Sequence, residues 1–250
     1  MPHTPIQIVR ALRAAARQRF VRFGSFRKVA PFNANFGFDA GLPVDRYYLE
    51  AFLSSRAQFI TGRVLEVGGR DYTESFGTKV TESVIFSHEA APGEAQIIGD
   101  LSDCPQVPDN SFDCIILTQT LHCLPDMPAA LCEIYRILAP GGVLLCTVPG
   151  ISQISRWDME RWGDRWRLTS LGLKELLEAP FGSEGVEIQA YGNALAALSF
   201  IEGIPTHKLK ARELDVRIDD FEVLVCGVAT KPRAAGEATT GTGFADGAEG

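Results

Sequence analysis

Acidic side chains follow short apolar runs at two points of this 250-residue chain. Glu89 lies about 20 residues after Gly68, the offset at which a carboxylate in a doubly wound fold accepts hydrogen bonds from ribose hydroxyls. Asp100 follows a β-branched run and precedes Leu101, which pairs a polar group with an apolar surface as an adenine requires. The spacing predicts a nucleoside site, although each acid could also be a solvated turn or cap residue.

Two further features could act on a substrate. His122 follows the predicted fourth strand and titrates near neutrality, so it could be a general base or a structural residue that caps the turn before Leu124. The segment 156–167 holds all three tryptophans, interleaved with arginines. Tryptophan faces stack on rings and arginine binds anions, which predicts an acceptor site or, equally, a lid that touches no substrate. The candidate substrate residues are Trp157, Trp162, Trp166 and Arg167.

These residues need a sheet that brings the ends of its strands together. From residue 63 onward, runs rich in Val, Ile and Leu alternate with helical or turn segments, the pattern of a largely parallel sheet. The predicted strands are 63–67, 83–86, 95–98, 112–118, 142–148, 186–191 and 221–230. The predicted fold is α/β and Rossmann-like: a doubly wound, mostly parallel seven-stranded sheet with trimmed early helices, because the first two connections are short.

Two helices have predicted starting points. Asp45 opens a helical segment, 46–59, and Asp126 precedes a run in which Leu131 and Ile134 recur at helical spacing. Pro140 with the two following glycines ends the second run. We therefore expect an aspartate at each of these helix starts.

Composition and charge restrict the classes of function. Hydrophobic residues make up 46% and charged residues 22% of the chain, as in ordinary folded proteins. The net charge of −7 argues against a nucleic-acid partner, and no apolar run approaches the roughly 20 residues of a spanning helix. The six cysteines show no C-x-x-C spacing. We expect reduced core cysteines, no metal site and a cytoplasmic location.

The ends of the chain differ from its middle. A basic amphipathic helix is predicted over 5–22, where arginines occur without any Asp or Glu. It could contact a membrane surface or an acidic partner, resemble an organellar transit peptide, or be a solvated arm packed on the domain. The predicted organisation is this helix and a loop over 1–43, a domain over 44–231 with a substrate cover at 151–170, and a disordered tail over 232–250.

Four short motifs occur in a fixed order between residues 60 and 150. They are Val64-Leu65-Glu66-Val67-Gly68, Phe112-Asp113-Cys114-Ile115, Leu121-His122 and Leu138-Ala139-Pro140-Gly141-Gly142. Together they resemble the motifs of class I S-adenosylmethionine-dependent methyltransferases of the small-molecule, type 11-like group. The Trp/Arg segment and residues 41–48 also resemble bacterial members that are associated with polysaccharide assembly.

This resemblance implies S-adenosylmethionine as the cofactor and a small-molecule or glycan-like acceptor. It implies that Glu66 and Gly68, with Gly69 beside them, border the methionine part, that Glu89 binds the ribose, that Asp100 and Leu101 hold the adenine, and that Thr118 closes the pocket.

The loop after the first strand departs from the family pattern. Gly69, Arg70 and Asp71 follow Gly68, where the family usually continues G-x-G-x-G. Arg70 could turn outward, pair with Glu66 or Asp71, or bind the cofactor carboxylate. An alternative hypothesis is therefore a non-catalytic binding or scaffold protein with a degenerate cofactor loop. A nicotinamide-dependent oxidoreductase is disfavoured, because G-x-G-x-x-G is absent.

Overall fold

Seven strands form one mixed sheet in the computed structural model, which describes residues 22–89 and 96–233. The strands are β1 (Gly62–Val67), β2 (Val80–Ser87), β3 (Ile97–Ile98), β4 (Phe112–Thr118), β5 (Leu138–Pro149), β6 (Val186–Tyr191) and β7 (Leu224–Thr230). Their order is β3-β2-β1-β4-β5-β7-β6, and of these strands only β7 runs in the direction opposite to the others. The predicted Rossmann-like, mostly parallel fold is confirmed. Its topology reverses between β1 and β4, where such sheets bind ligands.

Helices cover both faces of the sheet. They are α1 (Val44–Ser55), α2 (Asp71–Phe76), α3 (Met127–Ile137), α4 (Arg156–Arg161), α5 (Ser170–Phe181), α6 (Ala194–Glu202) and α7 (Ala211–Leu214). Helices α3 and α5 contribute to one hydrophobic cluster, and α1 and α6 contribute to another. The connection between β1 and β2 is trimmed as predicted, since α2 has only 6 residues.

Alternating side chains of the central strands enter the two hydrophobic clusters. Leu65 of β1 and Ile115 of β4 pack with α3 and α5, whereas their neighbours Val64 and Ile116 pack with α1. All four side chains are fully buried. Because close-packed interiors resist deformation, the ends of β1 and β4 form a rigid edge on which a site can be positioned.

The predictions for the two helix starts have different outcomes. Asp126 caps α3 as predicted, because its carboxylate accepts a hydrogen bond from the Ala129 N–H at 3.0 Å. The prediction for Asp45 is wrong, since α1 already begins at Val44 after the extended Pro43. The fixed φ of proline suits the residue that leads into a helix. Asp45 is left within the first turn, where it is buried.

Besides β2, which begins at Val80 instead of residue 83, two further strands differ from their predicted boundaries. Strand β5 begins at Leu138 instead of residue 142, because Leu138 already pairs with Phe112 of β4. Strand β7 begins at Leu224, since the Phe221 N–H bonds to the Ile218 carbonyl in a turn. In both cases the local apolar run predicts that a strand is present, but it does not predict the residue at which pairing with the neighbouring strand begins.

Three further predictions concern the ends of the chain, membrane-spanning helices and the cysteines. The basic helix over 5–22 lies outside the described residues except for its last position, as does the tail from residue 234. No helix among the described residues is both long enough and apolar enough to cross a membrane. The six cysteines are free thiols, but Cys132 is exposed on α3, so its prediction as a core residue is wrong.

Candidate active site

The carboxylate of Glu66 fixes the loop after β1. Glu66 is 3% exposed and accepts hydrogen bonds from the Tyr72 N–H (3.2 Å), the Thr73 N–H (2.7 Å) and the Thr73 hydroxyl (2.7 Å). The two N–H groups lie in the first turn of α2, where a helix has no internal partner for them. Glu66 therefore ties the end of β1 to the start of α2 and holds the loop between them.

A cavity of about 650 Å³ lies over this loop. Glu66, Gly68 and Gly69 line it from the loop, and Thr118 lines it from the end of β4; we call it the loop cavity. Gly68 has a φ of +90°, and a Cβ added at either glycine would meet no atom within 4 Å. A ligand can therefore approach the loop backbone closely. Four of the predicted cofactor residues meet here.

Arg70 does not line the loop cavity. It precedes α2 and is half-buried, and it takes part in none of the ion pairs between the described residues. Of the arrangements considered for Arg70, pairing with Glu66 or Asp71 is thus not the one adopted. The missing glycine does not close the cavity.

The other predicted cofactor residues lie outside the lining of the loop cavity. Glu89 is exposed beyond β2, and its N–H donates to the Ser87 hydroxyl at 3.3 Å. Asp100 is exposed and accepts a hydrogen bond from the Ser102 N–H at 2.8 Å. Leu101 is 3% exposed and packs in the core. The roles of Glu89 and Asp100 in binding a nucleoside stay predictions.

A second cavity, of about 350 Å³, adjoins the loop cavity, because Phe38 and Arg46 line both. Its walls include His122, Trp157 and Arg167, and we call it the histidine cavity. The general-base candidate and two of the four predicted substrate residues therefore meet in one place, next to the loop.

The other two tryptophans of the predicted substrate segment do not line this cavity. Trp162 and Trp166 are 39% and 43% exposed, respectively. The indole N–H of Trp166 donates to the Leu124 carbonyl at 3.1 Å, which anchors the segment to the turn after β4. Within this segment, the structure thus separates residues that face the cavity from residues that hold the cover in place.

His122 is buried on the short turn Leu121–Cys123. Its Nε2 lies 3.7 Å from Asp164 Oδ1 and 3.4 Å from Cys123 Sγ, whereas its Nδ1 has no partner among the described residues. Burial lowers the pKa of His122 to about 4, although Asp164 acts in the opposite direction. The ring is therefore neutral at pH 7. A proton assigned to Nε2, beside Asp164, leaves Nδ1 as a hydrogen-bond acceptor.

The pKa of His122 predicts how stability depends on pH. Between pH 7 and pH 5 the unfolded chain gains a proton at this histidine while the folded protein does not, so folding loses stability as the pH falls. Over this range we expect protonation of His122 in the unfolded chain to lower the free energy of unfolding by about 2 kcal/mol. His122→Gln should remove this contribution to the pH dependence. Urea unfolding of both proteins at the two pH values measures it. An equal pH dependence in both would contradict the burial of a neutral ring.

Asp164 and Arg167 form the support beneath His122. The Asp164 side chain is 1% exposed, pairs with both terminal nitrogens of Arg167 (Nη2 to Oδ2, 2.8 Å) and accepts the Ser155 N–H at 2.7 Å. Burial alone would raise the pKa of Asp164, but the bonds from Arg167 and Ser155 hold it below its usual range. Arg167 also donates to the Gln153 carbonyl. Most of its donors are therefore used within the protein instead of facing a substrate.

Gln119 is a site residue that sequence reasoning missed. It follows Thr118 with a φ of +48°, a left-handed conformation that is uncommon for residues other than glycine. Its buried side-chain nitrogen has no partner among the described residues, and the side chain lines the histidine cavity. Backbone strain of this kind is concentrated at functional sites. No pattern in the sequence marks it.

Sequence reasoning also missed three charged residues of the histidine cavity. Asp45 and Arg46 form an ion pair at 3.1 Å, and Asp158 lines the cavity beside Trp157. The sequence contains a signal for Asp45 and Arg46, because an Asp-Arg pair at the start of an amphipathic helix places charge where the helix meets the sheet edge. Asp158 lies within the predicted Trp/Arg segment, where its residue type does not distinguish it from an ordinary surface acid.

Residues 60–146 match the family model described as a methyltransferase domain. The chain is similar to a malonyl-(acyl-carrier protein) O-methyltransferase of Serratia marcescens, 32% identical over 71 residues, 28% of this chain and 26% of that protein. It is similar to a demethylmenaquinone methyltransferase of Listeria monocytogenes, 34% identical over 98 residues, 35% of this chain and 38% of that protein. The chain thus spans about a third of the length of the curated relatives it matches.

The chain is similar to an S-adenosylmethionine-dependent methyltransferase from Archaeoglobus fulgidus, with a TM-score of 0.49 and 15% identity, over 74% of this chain and 94% of that one. The matched segment of the present chain runs from the residues before β1 into β5 and contains Glu66, Gly68 and Thr118. Through residues 60–146, the chain is thus similar to methyltransferase domains.

Proposed function

We propose that this protein transfers a methyl group from S-adenosylmethionine to a small-molecule or carbohydrate-like acceptor. The observation that carries the proposal is that the loop cavity, which contains the family's loop motif, shares the wall formed by Phe38 and Arg46 with the histidine cavity. A methyl donor and its acceptor must be held side by side, and positioning of this kind can supply much of the rate acceleration.

The residues of the loop cavity fit the amino-acid end of S-adenosylmethionine. Arg46 offers a guanidinium group for the carboxylate, and Glu50 and Asp71 offer carboxylates for the ammonium group. Gly68 and Gly69 leave room for the ligand at the loop backbone. Bound there, the cofactor would supply an electrophilic methyl group. Arg46 thereby takes the role of binding the cofactor carboxylate, which was one of the roles considered for Arg70.

The residues of the histidine cavity suit an acceptor. The segment 151–170 carries Trp157 over the cavity and is the proposed substrate cover, which would exclude water from the acceptor. His122 has an unshared electron pair at Nδ1 and is neutral at pH 7, so it can receive a hydrogen bond or a proton from the acceptor. Gln119 can orient the acceptor through its unpartnered amide nitrogen.

The acceptors named for the relatives do not carry over to this chain. Only Gln119 and His122 of the residues that line the histidine cavity lie within the matched range 60–146. The other lining residues come from the segment before β1 or from Pro149, the last residue of β5, onward. The acceptor is therefore to be inferred from this cavity itself.

Binding of the demethylated product tests the proposal. We expect S-adenosylhomocysteine to bind with micromolar affinity in calorimetry, and Arg46→Gln to weaken that binding by about tenfold, since a charged hydrogen bond contributes about 1.5 kcal/mol or more. Arg212→Gln is the matched control, because Arg212 is exposed on α7 away from the cavity. Glu89→Ala and Asp100→Ala test the predicted nucleoside contacts in the same way.

Two results would overturn the proposal. One is the absence of heat and of any thermal shift with S-adenosylmethionine or S-adenosylhomocysteine at millimolar concentration. The other is equal loss of affinity in Arg46→Gln and in the Arg212 control, which would show that the loop cavity is not the binding site.

A further inference from the structure

The histidine cavity contains hydrogen-bond acceptors that have no donor. Asp45 Oδ1 and His122 Nδ1 are buried atoms without a partner among the described residues. The carboxylate of Asp158 is half-buried, lines the same cavity and makes no side-chain hydrogen bond or ion pair with those residues. Buried polar atoms in folded proteins nearly always have a partner, so Asp45 Oδ1 and His122 Nδ1 point to a ligand that donates, and the half-buried Asp158 carboxylate can accept from the same ligand.

The charges of this cavity are unbalanced. Arg46 is paired with Asp45 and Arg167 is paired with Asp164, which leaves Asp158 as an acid without a basic partner in the lining. Burial raises the pKa of Asp45, because its pairing with Arg46 does not fully offset the loss of solvent. A cation in the cavity would compensate both carboxylates.

The spacing between His122 and Asp158 suits a single nitrogen atom placed between them. A ring nitrogen of His122 and a carboxylate oxygen of Asp158 lie within 4.8 Å of each other. Hydrogen bonds of about 2.9 Å from one nitrogen can join two acceptors up to nearly twice that far apart. An ammonium group has three N–H donors, which is the number of unpartnered acceptor groups named above; the unpartnered Gln119 nitrogen is a donor and stays available to another part of the ligand.

We propose that the histidine cavity binds an organic ammonium group through Asp158, His122 and Asp45. The methyl acceptor of this protein is then an amine with a compact apolar body, bound as its ammonium form. One proton leaves the nitrogen through Asp158 to solvent, and the freed electron pair forms the N–CH3 bond as the S–CH3 bond breaks and S-adenosylhomocysteine departs. The binding site does not depend on catalysis, but naming its ligand the methyl acceptor rests on the proposed function.

Four aromatic rings also line the pocket. Phe36 and Phe200 stack at 5.5 Å between centroids, and both line the cavity together with Phe38 and Trp157. Aromatic faces attract cations and pack against apolar groups, so they accommodate the body of an amine and strengthen binding of its charged end. A volume of about 350 Å³ limits this body to roughly the size of one ring with a short side chain.

A metal ion is the competing occupant, because Cys123 Sγ lies within the same 4.8 Å cluster. A thiol must lose its proton to bind a metal, and burial raises the pKa of Cys123 to about 12. Cys123 and His122 are also adjacent in the chain and contact each other at 3.4 Å. The protonated thiol of Cys123 therefore favours an ammonium group over a metal ion.

A matched pair of probes tests the proposal. We expect 2-phenylethylamine to bind the full chain, measured by calorimetry with S-adenosylhomocysteine present and absent, at least tenfold more tightly than 2-phenylethanol. Asp158→Asn should weaken amine binding about tenfold and leave alcohol binding unchanged. Glu160→Gln is the control, since Glu160 is exposed on the same helix and does not line the cavity.

Three outcomes would overturn the proposal. These are equal affinity for the two probes, equal effects of Asp158→Asn and Glu160→Gln, and zinc binding that Cys123→Ser abolishes. Failure of the chain to bind S-adenosylhomocysteine would count against the proposed function, whereas amine binding is read separately in the same titrations.

Discussion

Glu66→Ala is expected to lower the free energy of unfolding by about 3 kcal/mol and to weaken S-adenosylhomocysteine binding by more than tenfold. The change removes a buried carboxylate that accepts three hydrogen bonds from Tyr72 and Thr73. Without it, the first turn of α2 loses its partners and the loop under the loop cavity is no longer fixed. Chemical denaturation and calorimetry measure the two effects.

Graded variants separate the parts of this effect. Thr73→Val removes only the hydroxyl donor and should cost about 1 kcal/mol, while Glu175→Ala, at an exposed position of α5, should cost almost nothing. If Glu66→Ala unfolded no more easily than Glu175→Ala, the proposed link between β1 and α2 would be wrong.

Arg167→Ala has the second large expected effect. It leaves the Asp164 carboxylate buried without its cation, which costs about 3–5 kcal/mol in comparable pairs. Because Arg167 lowers the pKa of His122 while Asp164 raises it, the same change should also shift the pKa of His122 upward from about 4. Denaturant unfolding and a proton NMR titration of the histidine report the two results.

The double variant shows whether the pair itself is responsible. Arg167→Ala combined with Asp164→Asn should recover much of the lost stability, because no charge then remains unpaired. Arg161→Ala is the control, since Arg161 is exposed and stacks on Trp157. A double variant that is as unstable as the sum of its single changes would contradict this interpretation.

The sheet was predictable because its information is local. Apolar runs, the Asp126 cap and the loop motif around Gly68 each lie within a few residues, and their order gives the topology. The starts of β5 and β7 were not predictable in this way, since pairing with a distant strand decides them. Local signals thus gave the fold and the loop cavity.

The histidine cavity was only partly predictable, because it is assembled from distant segments. Phe36 and Arg46 come from before β1, His122 follows β4, Trp157 lies beyond β5, and Phe200 is on α6. No single window of sequence contains this combination. His122 and Trp157 were identified because their residue types are unusual, whereas Asp45 and Asp158 resemble ordinary surface acids.

The shared wall between the two cavities has a thermodynamic consequence. Arg46 pairs with Asp45 in the structure described here and lines both spaces. If a carboxylate in the loop cavity draws Arg46 toward itself, Asp45 loses its cation and the histidine cavity gains affinity for a positive ligand. By reciprocity, that ligand raises the affinity of the loop cavity by the same factor. The two occupants would therefore bind cooperatively through one adjacent Asp-Arg pair, without any movement of the sheet.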